Sequence, residues 1–199
     1  MARGYRHSMA YKHRVQHPGF YHVCARGNNK RPIFLDDLDR LSFVKRLNRV
    51  AVRFGWTIHA YVLMGNHYHL VLEISEAGLA SGMCELNTGY AVTFNRRHGR
   101  VNHLFGRRYW SDELTDERRF LAACRYVVLN PVRAGLASSP SRYVWGSYRA
   151  TIGLALSVVT RGSDLVLRHY SRDRAAAIAG FRGFCEGHAR NRHVRWQPP

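Results

Sequence analysis

Residues 56–73 read WTIHAYVLMGNHYHLVLE, and the fold is decided there. Trp56–Met64 is rich in β-branched and aromatic side chains, Gly65-Asn66 is a tight-turn pair, and His67–Glu73 resumes the extended composition. Two antiparallel strands joined as a hairpin follow. On the second strand, His67, His69, Val71 and Glu73 project to one side and Tyr68, Leu70 and Leu72 to the other, the apolar set facing the core. His67 and His69 stand roughly 6.5 to 7 Å apart along the strand, so both imidazoles can converge on one ion. Two hydrogen-bonded surface histidines fit the same spacing, and the strand alone leaves both readings open.

Working outward, Phe20–Arg26 (FYHVCAR) reads as an earlier strand closed by the turn Gly27-Asn28-Asn29. A helix follows, capped by Asp36 or Asp37, with Leu38, Leu41, Val44, Leu47 and Ala51 at helical spacing and a stop at Gly55. Beyond the hairpin, Leu79, Met83, Leu86, Tyr90 and Phe94 predict a second helix over about Leu79 to Arg97. Asn102–Trp110 (NHLFGRRYW) reads as a fourth strand. The order β-α-β-β-α-β predicts an α+β domain with a ferredoxin-like or RRM-like antiparallel sheet and flanking helices, the first two on one face.

A third helix is expected from a cap at Thr115, with Phe120, Ala123, Cys124, Val127 and Val128 inward. Asn130-Pro131 is expected to interrupt it and Gly135 to end it. Trp145 and Tyr148 read as packing anchors, and residues 151–160 give no clear pattern. Asp164 to Cys185 predicts one or two helices, followed by a tail carrying Arg190, Arg192 and Arg195. The expected organisation is a main domain over 1–150 and a basic, mainly helical C-terminal extension over 151–199.

With 31 Lys+Arg against 13 Asp+Glu, the formal net charge is +18, and a polyanion is the natural partner. The charge is unevenly placed. From Phe54 to Asn95 there is no Lys or Arg, while Glu73, Glu76 and Glu85 are present, so a neutral to acidic centre lies between basic flanks. That pattern suits a nucleic-acid groove leading to a metal site, and cations around the histidines would have weakened a metal. Arg96, Arg97, Arg100, Arg107 and Arg108 form a run without acids that suits a DNA backbone, or else a solvated face. Tyr109 or Trp110 could stack a base or serve the core. The four cysteines are widely separated, which points to a reduced compartment. No run of 18 apolar residues or signal-type N-terminus suggests membrane insertion or secretion.

Tyr126 and Asn130 lie i, i+4 on the third helix, with Arg119 and Arg133 on the same stripe. An Asn carbonyl can ligate a hard cation, and a Tyr hydroxyl one turn away can attack a phosphate that the cation holds. Equally, Tyr126 can be a packing tyrosine and Asn130-Pro131 an N-cap and N1 pair.

Five blocks now stand in order: GNNKRPIF, HAYVLMGNHYHLVLE, NRRHGRVNHLF, YVVLNPVRAGL and WGSYRAT. From about Tyr21 to Thr151 the chain resembles the REP-associated tyrosine transposases, a branch of the HUH single-tyrosine transposases. The resemblance implies a ferredoxin-like HUH domain in which His67 and His69 bind a divalent ion, Tyr126 is the nucleophile and Asn130 stands at the third ligand. It departs from the family pattern at Tyr68, usually a plain hydrophobe, at Asn130, often Gln, and in HLFGRRYWS. Imidazoles alone suit zinc or manganese, whereas the resemblance implies Mg²⁺ or Mn²⁺. It further implies cleavage and rejoining of single-stranded or hairpin DNA through a 5′-phosphotyrosine. The DNA-contacting residues would be Arg96, Arg97, Arg100, Arg107, Arg108, Arg119 and Arg133, the setting the bacterial cytoplasm at the nucleoid, and the state a monomer or homodimer. Two other functions fit the same element order: an RRM-like single-strand binder, against which the absence of that class's aromatic signature counts, and a domesticated transposase that binds DNA without moving.

Overall fold

The computed structural model describes residues 17–76, 78–159, 162 and 164–187. The strands are β1 (Gly19–Arg26), β2 (Trp56–Leu63), β3 (His67–Ile74) and β4 (Trp110–Glu113), arranged β2-β3-β1-β4. Every pairing is antiparallel. β2 and β3 form the expected hairpin, and β3 lies between β2 and β1 with Arg26 opposite His67 and Cys24 opposite His69.

Alternation gives the sheet two buried faces. On one, Tyr21, Val23, Trp56, Tyr68, Leu70 and Leu72 pack against α1 (Asp37–Arg53) and α2 (Leu79–Arg97), whose Phe43, Leu47, Met83, Leu86, Tyr90 and Phe94 complete the core. On the other, Ala60, Val62, Met64 and Val71 meet Phe120, Ala123, Cys124 and Val127 of α3 (Glu117–Arg133). Helices therefore cover both faces, with α1 and α2 sharing one as expected. The register of β2 shifts between Ile58 and Ala60, a bulge that changes the phase of alternation, so that Trp56 and Ile58 before it and Tyr61 and Leu63 after it all face the first core. Beyond α3 come α4 (Tyr148–Thr151), α5 (Leu165–Arg168) and α6 (Arg174–Glu186). Val166, Leu167, Ala177, Phe181 and Cys185 close the second core from outside.

Four expectations need correction. Leu38 and Leu41 of α1 are exposed, at 62% and 52%, because the inward stripe is Asp39, Phe43, Val44, Leu47, Val50 and Ala51. A carboxylate can hold that first position since Asp39 accepts from Leu35 N–H at 2.9 Å and from Arg97 at 2.6 Å. Second, Asn102–Trp110 is a loop joined to the sheet by a single bridge, Gly27 to Phe105, and β4 begins where that segment ends. Leu104 and Tyr109, which gave the loop its strand-like look, are anchors in the first core. Third, α3 begins after Asp116, whose carboxylate accepts Arg119 N–H at 2.8 Å, so Thr115 is not the cap. Fourth, α3 runs through Pro131 to Arg133. A proline this near the C-terminus forfeits one late backbone bond, while Ala134 N–H to Asn130 O and Leu136 N–H to Pro131 O close the end and Gly135 takes φ +70°.

In the 151–160 stretch, Ile152 and Val159 are buried, and Asn48 Nδ2 donates to Val158 O at 2.8 Å. The tail with Arg190, Arg192 and Arg195 lies outside the described residues.

Candidate active site

The face of β3 that carries His67 and His69 is the one α3 lies across, and the i, i+4 spacing brings Tyr126 and Asn130 over the two histidines. The His67 and His69 rings stand perpendicular with centroids 5.1 Å apart, and Tyr126 meets His69 edge-on at 5.6 Å. The Asn130 side chain is buried and close enough to His67 and Tyr126 to influence the titration of both. Arg133, two turns beyond Tyr126 and one beyond Asn130, places its guanidinium 4.9 Å from the Tyr126 ring centre.

The ring nitrogens of His67 are assigned by their neighbours. Asn66 Nδ2 donates to Lys30 O at 2.9 Å, which turns Asn66 Oδ1 toward His67. His67 Nδ1 then donates to that oxygen at 2.6 Å and keeps its lone pair on Nε2. His69 Nδ1 is hydrogen-bonded to Nε2 of fully buried His22 at 3.0 Å. The same tautomer on His69 leaves its Nε2, which lies 4.0 Å from Cys24 Sγ, as the free lone pair. An outer partner on Nδ1 and an open Nε2 is the arrangement metal-binding imidazoles adopt.

Electrostatics favour neutral rings. Burial lowers His67 to about 4, helped by the Arg26 cation. Burial, then the His22, His67 and Arg26 charges, drives His69 well below the ordinary imidazole value, and burial alone takes His22 to about 3. Uncharged imidazoles are the form a metal requires. Burial raises the Tyr126 hydroxyl above its ordinary value, while Arg133 and the Asn130 hydrogen bond pull it back. Two neutral imidazoles and a carboxamide on one wall are groups that a divalent cation accepts, while among the described residues no three His, Cys, Asp or Glu side chains are grouped for one.

The expected DNA-contacting arginines divide. Arg96, Arg107 and Arg108 are exposed, and Arg100 lies 5.5 Å over the Phe94 ring. Arg97 is held at 2.6 Å by both Asp36 and Asp39, in the helix layer on the face away from Tyr126. Arg119 donates to Asp112 of β4 at 2.7 Å. Tyr109 is a core residue, and Trp110 stands edge-on to His22 at 5.1 Å. The residues that sequence reasoning passed over are His22 and Asn66. The alternation Phe20, His22, Cys24 was a signal for the first, since it puts a histidine on one strand face, but the neighbour it meets depends on a pairing register that one strand does not reveal.

A four-stranded antiparallel sheet of order β2-β3-β1-β4 with helices on both faces defines a ferredoxin-like α+β domain. The chain belongs to the family described as transposase, IS200-like, whose model matches residues 16–129. No curated protein matches in sequence. Among solved structures, a REP-associated tyrosine transposase bound to a REP hairpin shares the fold with a TM-score of 0.62 at 17% identity, over 78% of this chain and 93% of that one. A putative transposase from Deinococcus radiodurans R1 gives a TM-score of 0.42 at 15% identity, over 60% of this chain and 90% of that one. Among the described residues, no helix is long and apolar enough to cross a membrane.

Proposed function

We propose that this member of the transposase family cuts and rejoins single-stranded DNA beside a hairpin, with Tyr126 as nucleophile and a divalent ion, Mg²⁺ or Mn²⁺, held by His67, His69 and Asn130. The observation that carries the reading is that the Tyr126 ring meets His69 edge-on at 5.6 Å while the His67 and His69 rings stand 5.1 Å apart, so the tyrosine and the histidines face one small volume. The ion would supply charge neutralisation on a non-bridging phosphate oxygen. The chain does the rest. His22 and Asn66 hold the two imidazoles in their orientation, Asn130 fixes the direction of the Tyr126 hydroxyl, and the Arg133 cation stabilises phenolate character as the proton leaves. The Tyr126 oxygen bonds to phosphorus as the P–O3′ bond breaks, giving a 5′-phosphotyrosine and a 3′-hydroxyl. A second 3′-hydroxyl reverses the step and joins strands, with no external energy source.

Exposed Arg96, Arg107 and Arg108 and half-buried Arg100 are assigned to the DNA backbone, Arg133 to the scissile region, and Arg97 and Arg119 to holding α1, α2 and β4 in place. Hairpin DNA is proposed as the substrate from the sequence resemblance, with the shared fold of the hairpin-bound transposase in support. Residues 164–187 of the C-terminal extension are read as bracing α3, and a cytoplasmic setting at the nucleoid is inferred from the proposed substrate.

Incubation of wild type and Tyr126→Phe with a pool of labelled hairpin oligonucleotides and Mg²⁺ or Mn²⁺ tests the proposal. A covalent protein–DNA band that needs metal and disappears in Tyr126→Phe is expected. Cleavage surviving in Tyr126→Phe overturns the nucleophile, and tight binding without cleavage by the wild type favours a domesticated DNA-binding protein.

A further inference from the structure

A second polar pocket lies beyond the end of β1, outside the Tyr126 site. It has a volume of about 230 Å³ and is lined by Asn28, Asn29, Arg31, Arg100, Asn102 and His103. Its two walls are the loop after β1 and the loop after α2. They are stitched together by Asn28 N–H to Leu104 O at 2.9 Å and Gly106 N–H to Arg26 O at 3.1 Å. Each wall is braced from behind: Asn95 Nδ2 donates to Asn102 O at 2.8 Å, and Asn66 Nδ2 donates to Lys30 O. Gly27 could carry no side chain, because a Cβ there would stand 2.1 Å from Arg31 O. Asn29 and Lys30 are held at φ 52° and 58°, a left-handed conformation that non-glycine residues adopt at a cost and that recurs at binding sites.

The lining is chemically selective. It contains no carboxylate. Two guanidiniums suit a phosphate, and three carboxamides each offer a donor and an acceptor to a base edge. The volume is below that of a drug-sized site, which leaves room for a nucleotide portion rather than a larger ligand. The pocket is also wired to the active site: Lys30 O receives Asn66 Nδ2, and the same Asn66 side chain receives His67 Nδ1–H. Gly27 N–H to Asn66 O at 2.8 Å makes a second link between the same segments.

We propose that this pocket binds one unpaired nucleotide of the DNA strand, its phosphate on Arg31 and Arg100 and its base edge on Asn102 and the neighbouring carboxamides, and so selects which phosphate is offered to Tyr126. The inference rests on the single-stranded DNA reading above, and its test uses binding without cleavage so that the two can fail separately.

Full-length protein in EDTA is titrated with fluorescein-labelled single-stranded 12-mers of dA, dC, dG and dT, followed by anisotropy. The wild type is expected to separate the best from the worst homopolymer by about tenfold, the scale of one well-made base contact. Asn102→Ala should bring that ratio to within about threefold while leaving the weakest oligonucleotide unaffected. Arg31→Ala should weaken all four alike and lower the salt dependence by roughly one phosphate contact. Tyr126→Phe should bind and discriminate like the wild type, so loss of cleavage there bears only on the nucleophile. A wild type that does not discriminate, or an Asn102→Ala variant that keeps the full ratio, overturns the proposal. Photocrosslinking with a 5-iododeoxyuridine oligonucleotide gives an independent reading: adducts should fall in 28–31 or 100–103, and adducts confined elsewhere overturn it.

Discussion

At the scale of single residues, His22 is the side chain whose importance the structure reveals. It is fully buried on β1 and its Nε2 is hydrogen-bonded to His69 Nδ1. Outer partners of this kind are worth about 10- to 100-fold in metal affinity. His22→Ala should therefore weaken Mn²⁺ binding by about that factor in isothermal titration, and His22→Gln, which keeps a hydrogen-bonding group at similar reach, should recover part of it. If His22→Ala binds Mn²⁺ like the wild type while its melting temperature falls, His22 serves packing alone. The H-x-H pair and Tyr126 were legible because alternation on a strand and i, i+4 spacing on a helix are local rules. His22 was not, because its meaning lies in the β1–β3 pairing, a contact between residues 47 positions apart. Asn130 followed by proline read equally well as a cap for a new helix, and only the continued turn to Arg133 places it over His67.

At the scale of elements, α1 and α2 are clamped by Asp36 and Asp39 against Arg97 and His98. The Arg97 and Asp39 hydrogen bonds hold Asp36 down at about 2, and Asp39 is also held below the ordinary carboxylate value, its bonds to His98, Leu35 N–H and Arg97 outweighing burial. A carboxyl whose folded value is depressed contributes stability above its unfolded value, near 4, and loses it as pH falls through the folded one. The clamp should therefore be intact above pH 4 and dissolve toward about pH 2, with a melting temperature that falls over that window. Asp39→Asn should flatten this dependence and cost about 2 kcal/mol at neutral pH, where charged hydrogen bonds are lost; an unchanged acid profile would remove Asp39 from the account. The packing of α2 on the sheet is equally tight at Gly82, where an added Cβ would stand 2.2 Å from the Trp56 ring of β2. Gly82→Ala should destabilise by about 1–3 kcal/mol despite the better helix propensity of alanine, measurable by urea denaturation. Element types were legible for the long periodic segments, and α2 falls where the pattern put it. The fourth strand was not, since WSDE has little strand character and is extended because β1 offers an open edge, while the apolar Leu104 and Tyr109 mark loop anchors.

At the scale of the whole molecule, the +18 charge suits the proposed DNA partner, but the position of Tyr126 depends on apolar packing behind it. α3 is covered on its inner side by the sheet and on its outer side by Val166, Leu167, Ala177, Phe181 and Cys185. Burial of Val166, Leu167 and Phe181 alone, at roughly 1.5–3 kcal/mol each, is comparable to the usual net stability of a domain. Truncation after Val159 should thus yield aggregated protein or one without a cooperative melt, even though the family match itself ends at residue 129. Because such a truncation removes much at once, Phe181→Ala is the sharper variant. It leaves a cavity beside Tyr148 and Tyr170 and should cost about 3–4 kcal/mol, lowering the melting temperature by about 10 °C. If α6 braces the helix that carries the nucleophile, this variant, assayed well below its melting temperature, should also lose covalent adduct formation more than it loses oligonucleotide affinity, since the exposed arginines of the α2–β4 segment are untouched. Equal loss of both would instead mark α6 as a general stabiliser with no particular claim on the position of Tyr126.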